Sequence, residues 1–387
     1  MEKIIPFKLS KIFKEFFQSQ QASGFILIIG TLISLTVSNS VFGEDFIAFW
    51  GTKIGIHTSQ LHLEHSIVNW INDGFMTLFF LLVGIEIKRE LISGELNNRK
   101  KALLPIIGAL GGMAMPALFF YLINHNSPST LNGVGIPTAT DIAFAIAILG
   151  LLGNRVPNSI RIFLTALAII DDLGAIVVIA IFYGTGIQWV WLIASAIICG
   201  IIVFLNHKDI TFTWLYVLLG IGLWFCMMHS GIHATIAGVL FAFLLPRQSE
   251  KESKMSDKFE HVLHLPVSYF ILPIFTIANT ALKIDSGIIS NVLTPLSMGI
   301  FVGLFLGKPI GIFSFCWISS KLKLTELENE ITYKHLIGAG ILGGIGFTMS
   351  IFISNLAFYD ILLVQISKIT ILVTSFCAAI VGYLTLR

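Results

Sequence analysis

Long apolar runs recur along this chain, each near the length that a bilayer-crossing helix requires. At 1.5 Å rise per residue, crossing a hydrocarbon core takes roughly 20 mostly apolar residues. Runs at 24–42, 67–87, 103–123, 134–152, 160–183, 189–205, 212–228, 230–246, 264–282, 294–319, 336–357 and 364–386 predict twelve transmembrane helices. The seventh and eighth are short and meet near His229-Ser230-Gly231, so a re-entrant or tilted pair fits there as well as two full spans. The longest polar connection, 43–66, alternates isoleucine with polar residues around Gly51 and Gly55, which suggests a short hairpin, although an irregular loop satisfies the periodicity equally. The opening segment 1–23 is a basic amphipathic lead with no small-residue cleavage site after an apolar core; it reads as a retained segment on the inner membrane surface.

Composition agrees. Hydrophobic residues make up 55% of the 387 and charged residues only 12%, half the charged share of an average soluble chain. The distribution of charge sets the orientation: with the amino terminus inside, 20 of the 24 Lys and Arg fall on inner segments. The positive-inside rule therefore places both termini in the cytoplasm. Nothing in this pattern suggests nucleic-acid binding. Cys199, Cys226, Cys316 and Cys377 sit in apolar runs without shared spacing and read as small core residues.

Against that apolar background the buried charges stand out. The run FLTALAIIDDLGAIVVIAI, 163–181, holds Asp171 and Asp172 at its middle, and each acid there costs about 2.5–3.5 kcal/mol to insert. A cation pathway is the usual reason to tolerate them. Adjacent residues point about 100° apart on a helix, so divided roles follow: one acid faces the cation, the other leans toward Lys308 in LFLGKPIGIF. Two spans are poorly made as helices. The fourth is interrupted by Pro137, Thr138, Thr140 and Asp141, and the eleventh by Gly338, Gly340, Gly343, Gly344 and Gly346, which could equally serve close helix packing. Each is the middle of a three-span block, 103–183 and 294–386, running in opposite directions, which predicts an inverted repeat with two crossing broken helices at a midplane ion site. Asp141 can balance the positive helix ends at the crossing and Lys308 the negative ones.

These stretches, with WINDGFMTLFFLLVGIEIKREL, HSGIHATIAGV and FEHVLH, resemble the NhaA family of bacterial sodium/proton antiporters from about Gly24 to the carboxyl terminus; that family is itself a standing example of the inverted-repeat architecture. The resemblance implies an all-α polytopic protein of the bacterial inner membrane, with 24–387 as its antiporter domain, exporting sodium or lithium electrogenically for two protons taken up. It implies no cofactor beyond the transported ions, no enzymatic activity, the lipid bilayer as partner, and a homodimer formed through the outer-loop hairpin at 47–63. Carried over by position, Asp172 is the principal cation ligand and proton carrier and Asp171 its partner, so these two acids would hold the transported sodium. Thr140 and Asp141 line the break and Lys308 stabilises the site. Asp73 lines the outward funnel, while Glu86, Arg89, Glu90, Glu260, His261, His264 and His233 govern the pH response. His229, a second histidine in HSGIH, departs from the pattern and bears on the pH range rather than on the transport core.

Two other classes fit the residues less well. An intramembrane aspartyl protease needs its acids on two helices in Tyr-Asp and Gly-x-Gly-Asp contexts, and no Gly-x-Gly-Asp exists here. A sodium-coupled solute symporter of the same fold would want a roomy cavity and would normally lack a buried lysine beside paired acids. The histidine pairs 229/233 and 261/264 have helical spacing but no third ligand, so zinc is disfavoured.

Overall fold

The computed structural model describes residues 20–55, 64–94, 97, 99–184, 186–210, 212–246, 254–285, 293–325 and 330–387. Most of the amphipathic lead and the tip of the expected outer hairpin, 56–63, lie outside the described residues. In chain order the helices are α1 Gln20–Ser38, α2 Gly43–Gly51, α3 Met76–Ile92, α4 Arg99–Asn124, α5 Ile142–Leu151, α6 Asn158–Phe182, α7 Trp189–His207 and α8 Thr213–His229. They continue with α9 Ile236–Leu244, α10 Lys254–Pro266, α11 Leu272–Asn279, α12 Pro295–Val302, α13 Lys308–Lys321, α14 Tyr333–Gly343, α15 Phe347–Ala357 and α16 Ile361–Leu386. Among the described residues seven helical segments are long and apolar enough to cross a membrane, and up to nine if each of two bent pairs counts as one span. The chain is an all-α polytopic membrane protein.

Part of the outer segment differs from expectation. Residues 46–51, expected to be extended, belong to α2, which turns 114° from the line of α1. The turn is tight because Gly43 packs on the Ser38 carbonyl, where a Cβ would come within 2.1 Å. After it, β1 Lys53–Ile54 pairs antiparallel with β2 His65–Ser66, the base of the expected hairpin.

Among the described residues three π-helical stretches, Trp70–Phe75, Val267–Ile271 and Gly303–Gly307, widen otherwise α-helical runs. The last two precede Pro273 and Pro309, whose missing N–H groups break the i→i−4 ladder and favour a wider turn.

By compactness the chain divides into two units, one of 1–33, 103–171 and 285–387, the other of 34–102 and 172–284. In the first, α4 crosses α13 at reciprocal glycines: a Cβ on Gly111 would stand 2.3 Å from the Gly311 carbonyl oxygen, and one on Gly311 would stand 2.1 Å from that of Gly111. Gly340 of α14 rests on Pro309, and Gly338 on Leu386. Two of the glycines suspected of breaking the eleventh span therefore serve close packing, and the break itself falls at 344–346. In the second unit α3 packs on α9, with Gly84 against Ala242 and Gly238 against the Thr77 carbonyl. Lys88 closes that helix pair, its Nζ donating to the carbonyls of Ala242 (3.3 Å), Phe243 (3.0 Å) and Leu245 (2.5 Å) where α9 ends. Placing an ammonium at a helix carboxyl end satisfies orphan carbonyls and opposes the helix dipole.

Candidate cation-binding site

Two interruptions of the backbone build the centre of the first unit. Before α5 the chain runs as a 3-10 helix over Asn132–Thr138 and then extends at Ala139 (ψ 154°). Pro137 and the β-branched Thr138 and Thr140 discourage a continuous α-helix here. Asp141 (φ −88°, ψ 101°) then caps α5, its Oδ1 accepting the Phe144 N–H at 3.0 Å. Across the second interruption α14 and α15 meet at 46°. The two breaks are stitched together directly, since the Asp141 N–H donates to the Ile345 carbonyl at 2.7 Å. Asp141 Oδ2 meanwhile accepts the Thr348 N–H at 3.1 Å and its hydroxyl at 2.5 Å. One buried carboxylate thus serves the amino-terminal ends of α5 and α15 together. Each end carries about half a positive charge, and the Asp141 carboxyl group stands at both.

On the carbonyl side of the break lies Lys308, at the start of α13 and fully buried. Its Nζ donates to Asp171 Oδ2 at 2.5 Å and to Thr140 Oγ1 at 2.7 Å. Thr140 Oγ1 is also 2.8 Å from Asp171 Oδ2 and 2.9 Å from the carbonyl oxygen of Gly343, the last residue of α14. Removing two ions from water costs several kcal/mol each and is recovered only with good geometry and further hydrogen bonds; Thr140 supplies one of these. The lysine therefore reaches the negative end of α14 through a hydroxyl, while its charge partner is Asp171. Asp172 follows directly in the middle of α6 and is also buried. Of the two adjacent acids, Asp171 is the one that contacts Lys308.

The other sequence-selected residues lie in the second unit. Asp73 sits half-buried in the first π stretch, its main-chain carbonyl accepting from Trp224 Nε1 at 2.9 Å and Thr77 Oγ1 at 2.5 Å. Arg89 of α3 pairs with Glu260 of α10 and approaches Glu90 at 3.7 Å, and Glu86 lies within electrostatic reach of all three. These four form one cluster beside a small cleft lined also by Lys88, Pro246 and Asp257. His261 and His264 are exposed on α10. His233 is half-buried between α8 and α9 and bonds to the Tyr183 backbone. Among the described residues no three His, Cys, Asp or Glu side chains converge as a metal cluster, so oxygen ligands for a cation at the acids would have to include hydroxyl or carbonyl groups.

Reading the residues alone missed Thr348, Ser350 and Ser375. Ser350 Oγ donates to the Ile136 carbonyl at 2.8 Å and Ser375 Oγ accepts the Phe347 N–H at 3.1 Å. Both supply the partners that interrupted helices lack. Thr348 and Ser350 lie within a few residues of a break, whereas Ser375 lies inside the uninterrupted α16 and carries no such signal.

A buried acid–lysine pair beside two interrupted helices, in a chain this apolar, defines a polytopic membrane protein with an ionisable core. The chain belongs to the Na+/H+ antiporter 1 family, whose model matches residues 14–386. It is 48% identical to the Na(+)/H(+) antiporter NhaA of Cytophaga hutchinsonii over 98% of this chain and 96% of that protein. The proteins of the same name from Flavobacterium psychrophilum and Yersinia pseudotuberculosis are 46% and 43% identical, each over 98% of this chain and 97% of theirs.

Proposed function

We propose that this protein exchanges sodium or lithium for protons across the bacterial inner membrane. The observation that carries the reading is the fully buried Lys308–Asp171–Thr140 cluster next to Asp172, in a chain whose relatives are named sodium/proton antiporters. Asp172 is the principal cation ligand and proton carrier; Asp171, held by Lys308, is its partner. Thr140 adds an oxygen, Asp141 holds the break together, and Asp73 lines the outer approach. Glu86, Arg89, Glu90, His233, Glu260, His261 and His264 set the pH response. The chain crosses the membrane twelve times with both termini inside, 103–183 and 294–386 form an inverted repeat, and two copies join through the hairpin based on β1 and β2. An interruption within each block, at 132–141 in one and 344–346 in the other, supports the repeat.

Antiport follows from competition at one site. Sodium is a hard cation that needs ionised carboxylates and other oxygens, so it binds only after protons leave, and protons bind only after sodium leaves. Alternating access then carries whichever is bound. Two protons inward against one sodium outward moves one net charge, worth about 2.3 kcal/mol per 100 mV, enough for the membrane potential to help expel sodium.

Sealed vesicles holding the purified protein, an imposed proton gradient and a fluorescent pH reporter test this. Addition of sodium or lithium should release protons in the wild type and not in Asp172→Asn. A wild-type protein silent to both ions across the neutral and alkaline range would overturn antiport and favour solute symport; exchange retained in Asp172→Asn would remove that residue from its role.

A further inference from the structure

We propose that Asn279 and Trp224 are positioning residues: from two neighbouring helices they clamp the π stretch Trp70–Phe75 and set where Asp73 stands, while leaving its carboxyl group open to a cation. The inference rests on the proposed function in taking Asp73 to line the outer approach.

The stretch needs support from outside itself. A π turn is a rare and weakly held form of helix, and Gly74 within it weakens the backbone further. Three side chains supply that support. Trp224 of α8 donates its Nε1–H to the main-chain carbonyl of Asp73 at 2.9 Å, and the Thr77 hydroxyl of α3 donates to the same oxygen at 2.5 Å. The Trp224 ring also lies beside that of Trp70, with centroids 6.2 Å apart. From the other neighbour, Asn279 at the end of α11 donates through Nδ2 to Asn72 Oδ1 at 2.9 Å and to the Phe275 carbonyl at 3.0 Å. A carbonyl can only accept, so the bond to Phe275 fixes which way the Asn279 amide faces, and Asn72 must present its oxygen. Both asparagines are buried, so a partner lost here strands a polar group.

All of these donors bypass the Asp73 carboxyl group. A charged acceptor binds a donor about twice as strongly as a neutral one, yet the indole and the hydroxyl end on the main chain of Asp73 and the amide ends on Asn72. Among the described residues the carboxyl group itself has no hydrogen bond or ion pair to the protein. Asp141 and Asp171 differ, being engaged by Phe144 and Thr348 and by Lys308 and Thr140. A half-buried acid whose backbone is held from two sides and whose charge is left to attract cations suits a post on an ion path. The clamp needs the two N–H donors and not the bulk of their side chains.

Uptake of radioactive sodium by right-side-out and by everted membrane vesicles presents the ion to the outer and inner faces separately. Trp224→Phe removes one N–H and keeps an aromatic ring; Asn279→Leu removes the amide at similar volume. Each should raise the apparent KM for outer sodium roughly two- to tenfold, the range one hydrogen bond supplies, with kcat and the inner KM little changed. In an Asp73→Asn background neither substitution should add anything, because both act through that acid. Equal changes at both faces, a fall in kcat alone, unaltered kinetics, or an effect of full size in the Asp73→Asn background would overturn the clamp. An Asp73→Asn chain with the wild-type outer KM would take the acid out of the path and refute the clamp with it. If Asn279→Leu does not fold, Trp224→Phe decides by the same criteria. A wild type that moves sodium from neither face fails as an antiporter and the clamp falls too, whereas wild-type exchange with indifferent variants removes the clamp alone.

Discussion

Replacing Lys308 by methionine isolates what the buried ion pair contributes. The substitution keeps the length of the side chain and removes its charge, which strands Asp171 at full burial with only the Thr140 hydroxyl beside it. Breaking a buried pair from one side costs about 3–5 kcal/mol, since the surviving charge has lost its counter-ion. Asp171→Leu strands Lys308 in the same way and should cost a similar amount. If the two losses were independent, the double variant would be down by roughly 6–10 kcal/mol. The geometry predicts otherwise: with both charges gone nothing buried is left unpaired, and the double variant should lie near the wild type or above it, as apolar replacements of buried pairs often do. Intrinsic tryptophan fluorescence during denaturant or thermal unfolding in detergent reads this, the chain carrying seven tryptophans. A double variant as unstable as the sum of the singles would refute an ionised Lys308–Asp171 pair. Transport should be lost in all three, so stability and exchange separate cleanly in the double variant.

Other features make equally direct predictions. Gly111→Ala places a Cβ 2.3 Å from the Gly311 carbonyl, so α4 and α13 must move apart; a loss of about 1–3 kcal/mol or more is expected, visible as lower yield and an earlier melt. Lys88→Met removes the donor to three carbonyls at the end of α9 and should cost about 1.5–3 kcal/mol, with faster deuterium uptake confined to residues 240–246. Glu260→Gln breaks the pair with Arg89, whose side chain is 43% exposed; it should change stability by less than about 1 kcal/mol, and a larger drop in melting temperature would mean that the cluster is structural.

Much of this arrangement is legible in the sequence. Asp171, Asp172 and Lys308 announced themselves because charge inside a 20-residue apolar run is costly, and Asp141 because an acid within a Pro/Thr break has helix ends to neutralise. The π stretches were not legible: Pro273 and Pro309 admit either a kink or a widened turn, and neighbouring helices decide between them. Residues 46–51 read as extended yet belong to α2, because a short amphipathic helix and an alternating strand share apolar positions over six residues. Thr348, Ser350 and Ser375 stayed hidden for a different reason. Each acts on a group far away in sequence, and other hydroxyls in these helices bond back to the preceding turn, as Thr370 and Thr374 do.

The carboxylate shared by α5 and α15 has a consequence for how the protein is made. Asp141 and Thr348 are 207 residues apart, so at about 5–20 residues per second roughly 10–40 s of synthesis separate the acid from its second helix. Throughout that interval the early helices sit in the membrane with a carboxylate that holds one helix end and awaits another. Their final arrangement is fixed only when the last third of the chain arrives, so a truncated product can insert yet cannot close its own core. Quality control that recognises an unsatisfied acid in the bilayer would find such products by Asp141.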